Sequence, residues 1–198
     1  VAQHVLAAEQ HLQLLVRQLL IKDVPTDEIP SLTKAEDGGD FYVDTILGTY
    51  YVSLNLQRDA FKDAKVRKAL ALAIDRDYVA NTIMQGTYSA ASNLVGPGIV
   101  DENGYFYDNA NGGSPYIAAD YEANMAEAKK LLEECGLVMG SDGFYDFADG
   151  SDFLLTFYGY LESGAANEYP VLEQYYNAIG IKTAWKEYEV AAFDMEID

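Results

Sequence analysis

The sequence is poor in the residues that build disulfides, metal sites and many catalytic centres. Its 198 residues include one cysteine and two histidines. Cys135 alone can form neither an internal disulfide nor a zinc site, and its place on the apolar face of a predicted helix indicates an inert thiol. His4 and His11 lie near the amino terminus, so the main part of the chain lacks the commonest general base. We find no nucleophile elbow and no phosphate-binding glycine loop. No cofactor or metal is therefore predicted, and we expect a protein that is not an enzyme.

Positive charge and long apolar runs are also scarce. The chain has 13 Lys and Arg residues and 32 Asp and Glu residues, which gives a formal net charge of −19. A field of that sign repels phosphate backbones, so nucleic acid is excluded as a partner. It attracts cationic ligands, although an acidic, highly soluble surface accounts for the same charge. The sequence has no run of the roughly 20 apolar residues that a membrane-spanning helix needs.

Tyrosine is abundant: the chain has 16 tyrosines beside eight phenylalanines and one tryptophan. A tyrosine combines a large flat apolar face with one hydroxyl, which suits surfaces that hold chemically varied ligands. Core or sheet packing is the alternative role for many of them.

Residues 1–119 divide into six predicted segments. Residues 1–22 show helical periodicity and carry little negative charge, so this helix is either appended or of different origin. Residues 23–40 connect it to the rest, with a short helix near 29–36. Strands are predicted over 41–47 and 49–56. Asp63 is placed to cap a helix that runs to Met84 and ends before Gly86. A long Gly- and Asn-rich loop follows over 86–119.

The second half alternates helices and strands. A helix is predicted from Asp120 to Gly136, and a small β-hairpin lies around 144–147 between two Asp-Gly pairs. A strand over 153–158, a helix over 167–179 and a strand over 181–188 form a βαβ crossover. The domain is therefore predicted to be α/β.

Two acidic segments resemble calcium-binding loops. Residues 101–112 begin with Asp-Glu-Asn-Gly, yet the EF-hand positions for glycine and glutamate are Phe106 and Gly112 here. Residues 142–152 have a similar composition, which a turn-rich hairpin accounts for equally well. We predict no metal site in either segment.

The run over 61–79 resembles the signature helix of the oligopeptide- and dipeptide-binding family of ABC-importer receptors. The resemblance rests on Phe61, Asp63, the pair Val66-Arg67 and the sequence Ala-Ile-Asp-Arg at 73–76. Segments 24–32, 48–55, 127–136 and 179–181 are also similar, so the resemblance covers roughly residues 23–193. Arg67 and Asp75 lie eight residues apart on the predicted helix. We therefore expect each to hold a neighbouring segment rather than a ligand.

The resemblance implies a fold: a periplasmic-binding-protein-like type II lobe, with a mixed sheet flanked by helices. Residues 23–198 match an incomplete second lobe, the N-terminal lobe is missing, and residues 1–22 stay of uncertain origin. The acidic residue that clamps a peptide's amino terminus in this family would come after Asp198. A tryptophan frequent in the family is replaced by Val190. The chain is expected to be an excised domain or the product of a rearranged gene.

The resemblance also implies a function. The intact protein would be a periplasmic or cell-surface lipoprotein that binds peptides and passes them to ABC permease subunits. Four tyrosines at predicted strand ends are the candidate ligand contacts: Tyr50, Tyr51, Tyr158 and Tyr160. The alternatives are a receptor of this fold for a non-peptide solute or a signalling peptide, and an isolated lobe that acts as a structural or interaction module.

Overall fold

The computed structural model describes residues 28–32, 48–91, 94–95, 99–100, 102, 120–160 and 165–192. Its helices are α1 (Ile29–Leu32), α2 (Asp59–Lys62), α3 (Ala64–Leu72), α4 (Arg76–Tyr78), a π-helical turn (Val79–Ile83), α5 (Tyr121–Glu134) and α6 (Ala165–Ala178). Its strands are β1 (Val138–Met139), β2 (Tyr145–Asp146), β3 (Leu154–Tyr160) and β4 (Lys182–Tyr188). The predicted helix over 1–22, the predicted strand over 41–47 and almost all of the calcium-like segment 101–112 lie outside the described residues.

The signature helix is interrupted near its middle. Asp63 caps α3 as predicted, because its side chain accepts a hydrogen bond from the backbone N–H of Lys65 at 2.8 Å. The predicted continuous helix to Met84 is wrong. The Asp75 side chain accepts a hydrogen bond from the backbone N–H of Tyr78, so the chain leaves α3 and starts α4 there. An aspartate that caps a new helix cannot also continue the old one.

The two arginines of the signature run hold backbone segments, as expected of structural residues. Arg67 donates hydrogen bonds to the carbonyl oxygens of Phe61 and Lys62, at 2.6 and 2.9 Å, and so joins α3 to the end of α2. Arg76 donates to the carbonyl oxygen of Ala71 across the break. These bonds satisfy carbonyls that a helix end leaves open.

The predicted strand over 49–56 does not form. The structure has no strand pairing within 48–58. The side chain of Asn55 accepts from the backbone N–H of Gln57, and its carbonyl accepts from that of Arg58, which makes a turn instead. Leu54 nevertheless packs against the core, as expected.

The core lies between α3, α5 and the βαβ unit. Asp120 caps α5 through the backbone N–H of Ala123. One set of residues on these elements is buried and forms a single cluster: Val66, Ala69, Leu70, Leu72, Ala73, Ala128, Leu131, Leu132, Leu137, Tyr145, Phe153, Leu155, Tyr176, Ile179 and Ile181. Helical spacing of the apolar residues on α3 and α5 explains why both helices bury one face.

The βαβ unit is present as predicted, with slightly shifted bounds. β3 and β4 pair in parallel over seven residues each, from Leu154↔Lys182 to Tyr160↔Tyr188. α6 connects them, and the rings of Phe157 and Tyr176 stack at 5.7 Å between the sheet and this helix. Parallel strands need such a crossover, so the α/β fold follows from the strand–helix–strand order.

The hairpin is formed by β1 and β2, which pair antiparallel as Val138↔Asp146 and Met139↔Tyr145. The segment 144–147 of the predicted hairpin therefore contains one strand, β2, and the partner strand β1 lies upstream of the first Asp-Gly pair. The backbone N–H of Tyr145 donates to the carbonyl of Gly180 at 2.7 Å and joins the hairpin to the start of β4. Gly180 has a φ of +84°, and a Cβ there would lie 3.1 Å from the Met139 side chain. Glycine suits both the positive φ and the lack of space for a Cβ at this position.

Four charged residues join the hairpin to β4, and we call them the lysine cluster: Lys182, Asp142, Asp146 and Asp152. The Lys182 Nζ lies 2.9 Å from Asp142, 2.8 Å from Asp152 and 3.9 Å from Asp146. The carboxylates of the calcium-like segment 142–152 thus surround the ammonium group of Lys182. Within the described ranges, no group of three or more His, Cys, Asp or Glu side chains could hold a metal ion.

The charges of the lysine cluster support one another. The hydrogen bond from Lys182 lowers the pKa of Asp142, and bonds to Asp152 and Asp142 raise the pKa of Lys182. The Asp146 Oδ1 is buried and lacks a hydrogen-bond partner among the described residues, so the nearby ammonium compensates its charge.

Trp185 on β4 lies directly over Gly159 on β3. A Cβ added to Gly159 would lie 2.8 Å from the Cζ2 of Trp185 and closer still to its Cη2. The indole fills the space that a side chain would occupy and stacks on Tyr169 of α6, with ring centroids 5.5 Å apart. Gly159 is needed here for close approach rather than for an unusual backbone angle.

Replacement of Gly159 by alanine is expected to destabilise the fold by about 1–3 kcal/mol, because overpacking forces Trp185 out of its site. Chemical denaturation measures the stability. Trp185 is the single tryptophan, so its emission reports the displacement directly. The same substitution in a Trp185→Phe background should cost much less. Equal costs in both backgrounds would contradict the proposed contact.

Replacement of Lys182 by methionine is expected to lower the melting temperature by a few degrees at neutral pH, because three carboxylates then face one another. The folded-state pKa of Asp142 lies below its unfolded value. The stability that this shift contributes is present above about pH 4 and is lost as the pH falls through the folded pKa. The difference between wild type and variant should therefore shrink in acid.

Asp142→Asn is the matched second change. It should destabilise the wild type, since it removes a partner of Lys182, and stabilise the Lys182→Met variant, since it relieves repulsion. If Asp142→Asn has the same sign in both backgrounds, the lysine cluster does not act as described.

Candidate functional site

The carboxyl ends of β3 and β4 form the candidate site. β3 ends at Tyr160 and β4 at Tyr188, and these two residues are paired across the sheet. Ligands of open α/β sheets bind outside the carboxyl ends of the parallel strands, where the chain turns into the connecting segments. This edge is therefore the first place to look for binding residues.

A hydrogen bond brings a distant segment to this edge. The hydroxyl of Tyr50 donates to the carboxylate of Glu168, which lies in the first turn of α6. The neighbouring Thr49 donates from its hydroxyl to the carbonyl oxygen of Leu94 at 3.1 Å. The segment near residue 50 thus contacts both the start of α6 and the segment near residue 94, although the three are far apart in sequence.

Tyr50, Tyr88, Tyr160 and Glu168 together form what we call the tyrosine edge. Partial desolvation of the Tyr50 hydroxyl, and then its hydrogen bond to Glu168, raise the pKa of Tyr50 to about 12; the nearby Tyr88 and Tyr160 add to the shift. At neutral pH the Tyr50 hydroxyl is therefore protonated and able to donate. Tyr50, Tyr88 and Tyr160 are 67%, 54% and 36% exposed, so a ligand can reach all three rings.

The first turn of α6 is held by Tyr169, the residue after Glu168. Its hydroxyl lies 2.9 Å from the Thr183 Oγ1 on β4 and donates to Glu173 at 3.1 Å. Its ring stacks on Trp185. Glu168 is therefore carried on a turn that is attached to the sheet through its neighbour.

The four tyrosines predicted as ligand contacts lie in different environments. Tyr160 is near enough to Tyr50 to add to its pKa shift at the tyrosine edge, and Tyr51 is 63% exposed. Tyr158 lies on the sheet, where its ring stacks on Tyr188 with centroids 6.0 Å apart and the Lys186 Nζ lies 5.5 Å from its centre.

Sequence reasoning missed Glu168 and Tyr88. Glu168 had one usable signal, because an acidic residue in the first turn of a helix that follows a parallel strand lies at the carboxyl edge. Tyr88 had none, since it lies in a loop whose path the sequence does not reveal.

Cys135 follows the last turn of α5 and packs against the core. Burial, and then the charge of Asp63 and a hydrogen bond with it, raise the pKa of the Cys135 thiol. The thiol therefore stays protonated at neutral pH and is a poor nucleophile, which agrees with the inert role expected for it.

No helix among the described residues is long and apolar enough to span a bilayer.

Comparison with known proteins gives consistent relatives. The chain is 30% identical to the oligopeptide-binding protein OppA of Bacillus subtilis over 123 residues, which are 60% of this chain and 20% of that protein. It is 27% identical to the probable deoxycholate-binding periplasmic protein YgiS of Escherichia coli over 165 residues, 83% of this chain and 26% of that protein. The chain thus spans about a fifth to a quarter of the length of these curated relatives.

Solved structures share the fold. The oligopeptide-binding protein AppA of Bacillus subtilis, in complex with a nonapeptide, superposes with a TM-score of 0.61 at 23% identity, over 87% of this chain and 32% of that one. The chain therefore has the α/β fold of a type II periplasmic-binding-protein lobe. The family model described as bacterial extracellular solute-binding proteins, family 5 (middle part), matches residues 4–197, which include most of the segment 1–22. The chain belongs to the family 5 bacterial extracellular solute-binding proteins.

Proposed function

We propose that this chain is a ligand-facing lobe of an extracytoplasmic receptor that binds oligopeptides and delivers them to an ABC importer. The tyrosine edge carries the proposal, because it presents three accessible phenols and one carboxylate at the carboxyl ends of parallel strands. OppA and AppA, which resemble this chain, are oligopeptide-binding proteins by name.

The chemistry of the edge suits peptides of varied sequence. Phenol rings provide apolar contact to many side chains, while their hydroxyls exchange hydrogen bonds with peptide amides. Tyr51, which is exposed, and Tyr158, whose ring stacks on Tyr188, are proposed as further contacts. Affinity that does not depend on sequence would come from pairing with the peptide main chain.

The rest of the receptor would complete the site. We propose that a second lobe, the N-terminal one, closes over the ligand by a hinge motion and that permease subunits recognise the closed form. The receptor would act in the periplasm or at the cell surface, there as a lipoprotein. Catalysis is not part of the proposal, because the sequence contains no nucleophile elbow and no phosphate-binding glycine loop.

A non-peptide solute is the second candidate. The match to YgiS, whose name states probable deoxycholate binding, covers more of this chain than the match to OppA does. The net charge of −19 favours a peptide over deoxycholate as the ligand, since deoxycholate is an anion. An isolated lobe acting as an interaction module would bind neither ligand.

A chimera tests the proposal. Residues 23–192 replace the matching segment of Bacillus subtilis OppA, and calorimetry measures binding of a peptide mixture and, separately, of deoxycholate. We expect peptide binding by the folded chimera, weakened about tenfold by Tyr50→Ala because a central aromatic contact is lost. Tyr78→Ala is the matched control: Tyr78 is 50% exposed but lies on α4, outside the tyrosine edge.

A folded chimera that binds deoxycholate and no peptide would support the second candidate. A folded chimera that binds neither would support the interaction module. Equal effects of Tyr50→Ala and Tyr78→Ala would contradict the placement of the site.

A further inference from the structure

We propose that Met139 is a site of reversible oxidation by small peroxides, and that its sulfoxide loosens the β1–β2 hairpin from the start of β4. The inference is independent of the solute that the tyrosine edge binds. It adds a redox-sensitive modification site near Gly180, at the amino end of the parallel strand pair.

Met139 is the most accessible methionine among the described residues. The sequence has methionines at positions 84, 125, 139 and 195, and the last lies outside the described residues. Met139 is 45% exposed on the short strand β1. Met84 and Met125 are half-buried, and Met125 packs against the core. A peroxide in solution therefore reaches the thioether of Met139 most often.

The end of the Met139 side chain lies over the junction between the hairpin and β4. A Cβ built on Gly180 would have three nearest heavy atoms: the Cε of Met139 at 3.1 Å, the Cδ2 of Tyr145 at 3.2 Å and the carbonyl oxygen of Gly143 at 3.3 Å. The Met139 side chain is thus exposed to solvent on one part and packed against the Gly180 backbone with another.

Oxidation changes the character of this contact. A sulfoxide is polar, chiral and larger than a thioether, so it disrupts apolar packing that methionine makes. The methyl group, the ring carbon and the carbonyl oxygen around Gly180 offer no hydrogen-bond donor to a sulfoxide oxygen. A sulfoxide that keeps its oxygen hydrated therefore has to turn away from Gly180.

The residue opposite Met139 is the one that bonds the hairpin to β4. Met139 pairs with Tyr145 across the hairpin, and the backbone N–H of Tyr145 donates to the carbonyl oxygen of Gly180 at 2.7 Å. Displacement of Met139 thus acts directly on this hydrogen bond. Because Lys182 still pairs with Asp142, we expect local opening of the junction and not unfolding of the domain.

The chemical step needs only the thioether and a peroxide. The Sδ lone pair of Met139 attacks one oxygen of hydrogen peroxide, the O–O bond breaks, and an S–O bond forms. The proton on the transferred oxygen moves to the departing hydroxide, which leaves as water. Sulfur loses two electrons and the peroxide gains them. A methionine sulfoxide reductase with a thiol reductant restores the thioether.

Peptide mapping by mass spectrometry tests the first part of the proposal on the full 198-residue chain. After treatment with limiting hydrogen peroxide, we expect the sulfoxide to form at Met139 about fivefold faster than at Met84 and Met125. Equal rates at the three residues would overturn the assignment of the site.

Amide exchange measured by NMR tests the consequence. Oxidation should speed exchange of the Tyr145 amide about tenfold and leave the amides of α5 unchanged. Treatment with both methionine sulfoxide reductases and a thiol should reverse the change. Met139→Gln, an unbranched polar side chain that imitates the sulfoxide, should speed the same exchange without peroxide.

Met139→Leu is the resistant variant, because it keeps an apolar side chain and removes the sulfur. Its Tyr145 amide should exchange at the same rate before and after peroxide. Met125→Leu is the matched control and should respond as the wild type does. Unchanged Tyr145 exchange in the oxidised wild type, or acceleration that persists in Met139→Leu, would overturn the inference. If Met139→Gln does not fold, the oxidised wild type still decides it.

Discussion

The close approach of Trp185 to Gly159 is the contact on which the arrangement of the site depends. Because Gly159 has no side chain, the indole of Trp185 approaches β3 closely and stacks on Tyr169 of α6. Tyr169 also bonds to Thr183, near the amino end of β4, so the first turn of α6 is attached to the sheet. Glu168 is the preceding residue, and it receives the hydroxyl of Tyr50 there. The position of the candidate site thus follows from one missing side chain.

The two ends of the parallel strand pair serve different purposes. At the amino ends, Lys182 draws together carboxylates of the hairpin, and the backbone of Gly180 bonds to Tyr145. The Lys182 contacts pair its positive charge with negative charges of the same chain. At the carboxyl ends, Glu168 accepts a hydrogen bond from the exposed phenol of Tyr50. One end stabilises the fold, and the other is the proposed ligand site.

The sequence predicted the βαβ unit well because strand, helix and strand each carry their own periodic pattern. It failed where a local side-chain bond overrode that pattern. The cap made by Asp75 interrupts the predicted helix, and the turn made by Asn55 lies at the end of the predicted strand over 49–56, a strand that does not form. The pair of Tyr50 and Glu168 joins residues 118 positions apart, and such a contact depends on packing that periodicity does not encode. Tyr50 and Tyr160 were identified from strand ends, whereas Glu168 and Tyr88 required the assembled structure.

Hydrogen–deuterium exchange of the folded chimera, free and saturated with peptide, tests the central claim most directly, because exchange reports which backbone amides a ligand protects. We predict slower exchange in 48–52, 86–91 and 165–169 and at the end of β3, with no change in the hairpin 138–152. Protection confined to the hairpin, with none at the tyrosine edge, would contradict the claim.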